Sequence, residues 1–354
     1  MKICYFGAYV PDYSRNRVII KGLRNNGVEV VECQDRSLPL PLRYFRIVKK
    51  HVALDYEVMI IGVTYGQPII PIAKMISRKP LVLDLFLGHY ETEVVDRGSV
   101  NRGSLKAKAY YYLDKYAPRL ADIVLCDSNA HIDYFCKEFG LKREKFRRVF
   151  VGTDDDIMYP RQTKRNDDNF LVVFYGGFIP LQGVHYIVKA AKLLESQRDI
   201  KFELVGAGLM FREVKELSKK LKTNNVTFRG WVDYEKLPEH LAKADVCLGI
   251  FGDTEKAMRV IPNKVYDTLA MGKPLITMNS LAAREILKDG ENCVLVPRAN
   301  PKALAEAILM LKEHKNLRDE IAERGYKLFK ERLNPKAIGK ELKTILTELI
   351  EKSK

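Results

Sequence analysis

Apolar residues come in short runs along the chain, separated by stretches whose apolar positions recur at helical spacing. In the first half the runs at 2–6, 28–32, 58–63, 80–86 and 123–126 predict strands, and a helix opens near Ser14 with Val18, Ile19 and Leu23 on one face. In the second half, strands are expected at 170–175, 201–205, 226–228, 246–250, 274–277 and 293–296, each followed by a helix-like stretch. Buried runs alternating with amphipathic helices are the mark of βα units wound into a parallel sheet covered on both faces. Two similar α/β domains are therefore predicted. Between them, VGTDDDIMYPRQTKRNDDN (151–169) is charged and poor in periodic apolar positions, as a linker is. With a boundary near Asn166, the expected domains are 1–165 and 166–334. Helical stretches at 301–311, 317–331 and 335–351 close the chain, the last giving a C-terminal helix, 335–354, expected to pack back on the N-terminal domain.

The chain has 354 residues, 47% of them hydrophobic, enough for two cores and far from a disordered composition. The longest apolar neighbourhood, 56–76, is interrupted by Gly62, Pro68, Pro71 and Lys74, so no membrane-spanning helix is expected. The apolar stretch after Lys2 is too short for a secretory signal and reads as a first strand. Six cysteines occur without a Cys-x-x-Cys pair and mostly inside apolar runs, which predicts buried thiols in a reducing, cytoplasmic setting. Sixty Lys and Arg against 45 Asp and Glu give a net charge of +15, and residues 1–165 hold 28 basic against 19 acidic residues. A field of that sign favours anionic partners such as nucleotides, nucleic acid or an acidic bilayer.

The common nucleotide signatures fail. After the strand ending at Val205, Gly206 and Gly208 begin a G-x-G-x-x-G pattern, but Phe211 stands where the third glycine belongs. Gly272-Lys273 is followed by Pro274 and lacks the upstream glycine of a phosphate-binding P-loop. The six histidines have no ligand spacing, and the acidic run Asp154–Asp156 falls in the linker, where a solvated turn is its plain explanation, so no metal site is expected.

Other features hold together. YGGFIPLQG (175–183) ends a strand with adjacent glycines, Gly176 and Gly177, and runs into a helix near Val184, presenting bare N–H groups where a phosphate can sit. EKAMRVIPNKVYDTLAMG (255–272) brings Arg259, Lys264 and Asp267 to a strand C-terminus, the ligand edge of a parallel sheet. Each has a plainer alternative: Lys264 as a surface lysine at a helix start, Arg259 as the partner of Glu255, Asp267 as helix decoration. In the N-terminal half, Asp84 lies inside the strand PLVLDLF and His89 just beyond its end, where each can contact a ligand, the alternative for Asp84 being a buried pair. Arg15 or Arg17 can reach an anionic ligand or simply start a helix. Trp231 can flank a base or pack in the core.

Taken in order, VGTDDDIMYP, YGGFIPLQGVHYIVKAAKLL, VTFRGWVDYEKLPEHLAKADVCLGIF, PNKVYDTLAMGKPLIT and EILKDGENCVLV resemble glycosyltransferase family 4, the retaining GT-B enzymes. The resemblance implies two Rossmann-like domains facing a cleft, and sugar transfer from a nucleotide diphosphate sugar held by the C-terminal domain. It also implies that Asp267 occupies the position of the second Glu of the family's Glu-x7-Glu, which holds the ribose, while Arg259 stands at the first. Glu255 is the substitute for that first carboxylate through a longer loop. The usual Arg and Lys after the first strand of the donor domain are replaced by Gly177 and Gln182, which leaves Arg259 and Lys264 to neutralise the diphosphate.

These readings predict a metal-independent glycosyltransferase without a cofactor, using a UDP- or GDP-linked sugar in cell-envelope polysaccharide or glycolipid synthesis. The acceptor is expected to be a glycan or lipid-linked. RYFRIVKKH (43–51) and KAKAYYYLDKY (106–116) interleave aromatics with cations, either as helices covering a core or as a patch resting on the anionic inner face of the cell membrane. Two alternatives stand beside this: a nucleotide-sugar epimerase on the same scaffold, and a non-catalytic basic adaptor for RNA or membrane, for which no base-stacking module is visible.

Overall fold

The computed structural model describes every residue except 40, 41, 64, 65, 164, 166 and 354. The chain divides into two compact units, Met1–Asp154 with Asn334–Lys354, and Asp155–Leu333. Asn166, the boundary expected from the linker composition, lies outside the described residues.

Unit 1 alternates strands and helices: β1 (Lys2–Phe6), α1 (Ser14–Asn25), β2 (Glu29–Cys33), α2 (Leu42–His51), β3 (Val58–Ile61) and α3 (Gly66–Ile76). β4 (Leu81–Asp84), α4 (Leu105–Leu120), β5 (Ile123–Cys126), α5 (Asn129–Phe139) and β6 (Phe146–Arg148) complete its sheet. The strand order is β2-β1-β3-β4-β5-β6, all parallel. β3, β4 and β5 are buried at every position, which is why they read as unbroken apolar runs. β6 escapes the sequence reading because its residues, Phe-Arg-Arg, carry the charge that an edge strand tolerates. A π-helical turn, Tyr90–Asp96, follows β4.

Unit 2 repeats the plan with β7 (Phe170–Tyr175), α6 (Val184–Leu193), β8 (Ile200–Val205), α7 (Phe211–Leu221), β9 (Val226–Gly230) and α8 (Leu237–Lys243). β10 (Val246–Leu248), α9 (Asn263–Ala270), β11 (Leu275–Met278), β12 (Val294–Val296), α10 (Pro301–Glu313) and α11 (Lys315–Leu328) follow. Its order, β12-β11-β10-β7-β8-β9, reverses direction beside β7. Reversal points of this kind open a crevice at the C-terminal ends of the strands.

The last helix, α12 (Pro335–Lys352), returns to unit 1 and crosses α1 at Gly22 and Gly339. A Cβ on Gly22 would lie 2.2 Å from the Pro335 carbonyl oxygen, so two facing glycines are what allow the backbones to meet. Among the described residues, no helix is long and apolar enough to cross a membrane.

Candidate functional site

At the C-terminal edge of the unit 2 sheet, β7 ends at Tyr175 and the chain turns through Gly176, whose φ of +134° suits only glycine. The turn after β8 presses against it: a Cβ on Gly206 would stand 2.0 Å from the Gly176 carbonyl oxygen. Backbone bonds from Phe178 N to the Ala207 oxygen (2.9 Å) and from Met210 N to the Phe178 oxygen (2.8 Å) tie the two turns together. Gly206 and Gly208 therefore serve close packing between neighbouring loops.

Lys264 enters this corner from the first turn of α9. It is 3% exposed, which rules out a surface lysine. Its Nζ donates to Gln182 Oε1 and lies 3.8 Å from the centre of the Phe174 ring. A Cβ on Gly176 would come within 2.8 Å of that Nζ, so the glycine turn and the lysine share one space. Among the described residues Lys264 makes no ion pair, and burial pushes its pKa well below the ordinary lysine value, only partly offset by the charge of Asp267. An incoming anion would supply the missing countercharge.

One turn further along α9, Asp267 is fully buried and accepts hydrogen bonds from two phenols, Tyr175 at Oδ2 and Tyr234 at Oδ1, the latter at 3.0 Å. Neither tyrosine was legible as a site residue, since Tyr175 reads as the end of a strand and Tyr234 as part of a polar loop.

Glu255 pairs with Arg298 at 3.0 Å on the surface, not with Arg259. Arg259 follows the short 3₁₀ turn Lys256–Met258, partly exposed. Trp231, just after β9, is 72% exposed and not part of a core. Gly177 continues the open turn, with only the Ile179 side chain near the position a Cβ would take.

In unit 1, Asp84 is committed: Arg15 Nε donates to both carboxylate oxygens at 2.8 Å, with both side chains buried. Arg15 also donates from Nη1 to the Val149 oxygen and is not at the surface. His89 stands just beyond β4 on a turn fixed by Asp114, whose oxygens accept from the backbone N–H groups of His89 (3.0 Å) and Tyr90 (2.8 Å). Its ring stacks on Tyr110 at 5.3 Å, and burial pushes the imidazole pKa below its ordinary value, which keeps it neutral at pH 7. Both Asp84 and His89 border a cavity of about 400 Å³. Deeper in unit 1, His131 is clamped between Asp127 (2.8 Å) and Glu91 (2.9 Å), a buried cluster the scattered histidines gave no sign of. The acidic run contributes Asp154 to an ion pair with Lys21 at 2.5 Å.

Residues 155–328, which make up nearly all of unit 2, match the family described as glycosyl transferases group 1. The chain is 24% identical over 233 residues to an uncharacterised glycosyltransferase of Methanocaldococcus jannaschii, covering 63% of this chain and 58% of the relative. It is 25% identical over 211 residues to the lipopolysaccharide core biosynthesis glycosyltransferase LpsE of Rhizobium meliloti, covering 59% of each. The matches thus span under two thirds of these relatives' lengths. Among solved structures, Anabaena HepE in complex with UDP-glucose superposes with a TM-score of 0.72 at 18% identity, covering 98% of this chain and all of that one. That likeness is one of fold, and the fold is GT-B, two parallel six-stranded α/β units.

Proposed function

We propose that this chain, which carries a glycosyl transferases group 1 domain over residues 155–328, is a glycosyltransferase that moves a sugar from a nucleotide diphosphate sugar to a glycan or lipid-linked acceptor. The observation that carries the reading is Lys264, a buried lysine that makes no ion pair among the described residues, beside the Gly176 turn at a strand-order reversal. In the reaction the bond from the anomeric carbon to the diphosphate oxygen breaks, a bond to the acceptor oxygen forms, and the acceptor hydroxyl's proton passes to the departing diphosphate. The diphosphate leaves with growing negative charge, which we assign to Lys264 and the N–H of Gly177, the Gly176 N–H being bonded to the Val205 oxygen. Asp267 takes the ribose hydroxyls, with Arg259 as a second cation and Glu255 and Trp231 at the rim of the donor site. His89 and Asp84 belong to the acceptor side. Retention at the anomeric carbon is the stereochemistry that goes with family 4, and a fixed lysine in place of a divalent ion makes the reaction metal-independent.

The runner-up, an epimerase, needs free acid and base carboxylates, whereas Asp84 is held by Arg15 and Asp267 by two phenols. A cytoplasmic site at the inner membrane face is supported by exposed apolar side chains among the cations of α2 and α4: Phe45 is 74% exposed, Leu105 83%, and Tyr112 stacks on Tyr116 beneath Lys115 and Arg119. Ile47 of α2 is buried, so the same helix also covers the core. Melting the protein with nucleotide diphosphates and nucleotide sugars, with and without EDTA, tests the donor assignment. A ligand at 100 times its Kd raises stability by about 2.7 kcal/mol. Stabilisation by UDP or GDP that survives EDTA is expected. Stabilisation by nucleic acid alone would overturn the reading in favour of the adaptor.

A further inference from the structure

The cavity beside His89 lies at the C-terminal edge of the unit 1 sheet, and its charges do not cancel. Asp84 is neutralised by Arg15, and Glu93 pairs with Arg97 at 2.8 Å. Arg36, from the loop between β2 and α2, lines the same cavity and makes no hydrogen bond or ion pair among the described residues. One positive charge is therefore left over. The nearest carboxylate in sequence, Asp35, is already taken by Ser37, Arg46 and Lys50.

Two further groups on the cavity wall are uncommitted. The ring nitrogens of His89 and the hydroxyl of Tyr110 have no hydrogen-bond partner among the described residues, although the rings stack on each other. An aromatic face with a neutral imidazole and a phenol suits the mixed apolar and hydroxyl surface of a sugar ring. A guanidinium offers the planar, paired N–H groups that recognise a carboxylate or phosphate. The volume, about 400 Å³, falls within the range of ordinary small-molecule sites.

We infer that this cavity selects acceptors bearing an oxyanion on or next to the receiving sugar, with Arg36 as the specificity residue and His89 and Tyr110 as the sugar platform. The assignment as an acceptor subsite rests on the glycosyltransferase reading; the anion preference rests on the cavity alone. An oxyanion here has two chemical sources, the carboxylate of an acidic sugar and a phosphate ester.

The test is ligand-observed NMR titration of the full chain with UDP present to occupy the donor side. The probes are methyl glucoside, methyl glucuronide and glucose 6-phosphate. The expected result is at least tenfold tighter binding of one or both anionic probes than of methyl glucoside. That preference should be abolished in Arg36→Gln and kept in Lys79→Gln, a change at the opposite edge of the sheet. Stronger binding of the glucuronide identifies an acidic sugar as the source, and stronger binding of the phosphate a phosphorylated one. Equal binding of all three probes, or a preference that persists in Arg36→Gln, overturns the inference. A UDP melting shift on the same samples separates the two readings: anion preference without a UDP shift leaves the cavity's chemistry standing and removes its role as an acceptor subsite.

Discussion

The Nζ of Lys264 rests 3.8 Å from the centre of the Phe174 ring, with Gln182 as its hydrogen-bond acceptor and no carboxylate bonded to it among the described residues. A ring face and an amide stabilise the charged form less than a carboxylate does, so the lysine's pKa stays low until a bound anion such as a diphosphate supplies negative charge.

Replacing Lys264 by Met should cut turnover about 100-fold or more, because the contact strengthens as the diphosphate leaves. Since burial lowers the pKa of Lys264, anion binding should draw a proton onto it. Calorimetry of UDP binding in buffers of different ionisation enthalpy should therefore show proton uptake in the wild type and less in Lys264→Met. Equal uptake and unchanged turnover would remove Lys264 from the donor site.

Asp267→Asn keeps shape and one oxygen but loses the charge that accepts hydroxyl bonds. Hydrogen bonds to a charged group contribute about 1.5–3 kcal/mol, which corresponds to roughly a ten- to hundredfold weaker Kd for UDP. Tyr234→Phe removes one phenol from Oδ1 and should leave UDP affinity equal or tighter. If Asp267→Asn lowers the melting temperature while UDP binds as before, the carboxylate serves only to anchor the two tyrosines.

His131 gives a pH signature. Burial alone would lower its pKa, but the charges and hydrogen bonds of Glu91 and Asp127 outweigh it and lift the group to about 9, from an ordinary 6.5. A raised folded-state value means that the stabilisation is fully present below about pH 6.5 and is lost as pH climbs through 9. The melting-temperature gap between wild type and His131→Gln should accordingly narrow from pH 6 to pH 10. A gap of constant size across that span would show that the imidazole holds the cluster without its charge.

Gly22→Ala tests the crossing of α1 and α12. Alanine ordinarily stabilises a helix interior by about 0.5–1 kcal/mol relative to glycine, whereas forcing a methyl into a filled space costs about 1–3 kcal/mol. The clash at 2.2 Å is with backbone, which cannot swing aside, so a net loss is expected in chemical denaturation. An unchanged or higher midpoint would mean that α12 does not hold this contact in solution.

Much of the architecture is written locally. β1, β5 and β7 begin and end where the apolar runs do, and α1 opens at Ser14, because strands buried on both faces need unbroken hydrophobic runs. The donor-side block was legible for the same local reason: adjacent glycines after a strand, and a Lys and an Asp three residues apart on one helix face.

What a side chain does once buried was not legible. Whether Lys264 is solvated or sealed, whether Asp84 is free or claimed by Arg15, and whether Trp231 is core or surface depend on residues distant in the chain that meet only after the sheets assemble. The phenols on Asp267 come from β7 and from the loop after β9, and the clamp on His131 joins a π-helical turn to the end of β5. The sequence by itself determined most of the elements, the parallel βα plan and which residues approach a strand's C-terminal edge, since propensity and periodicity act over a few residues. The tertiary structure alone decided which charges are paired and which are left over, because pairing and desolvation are properties of the space around a group.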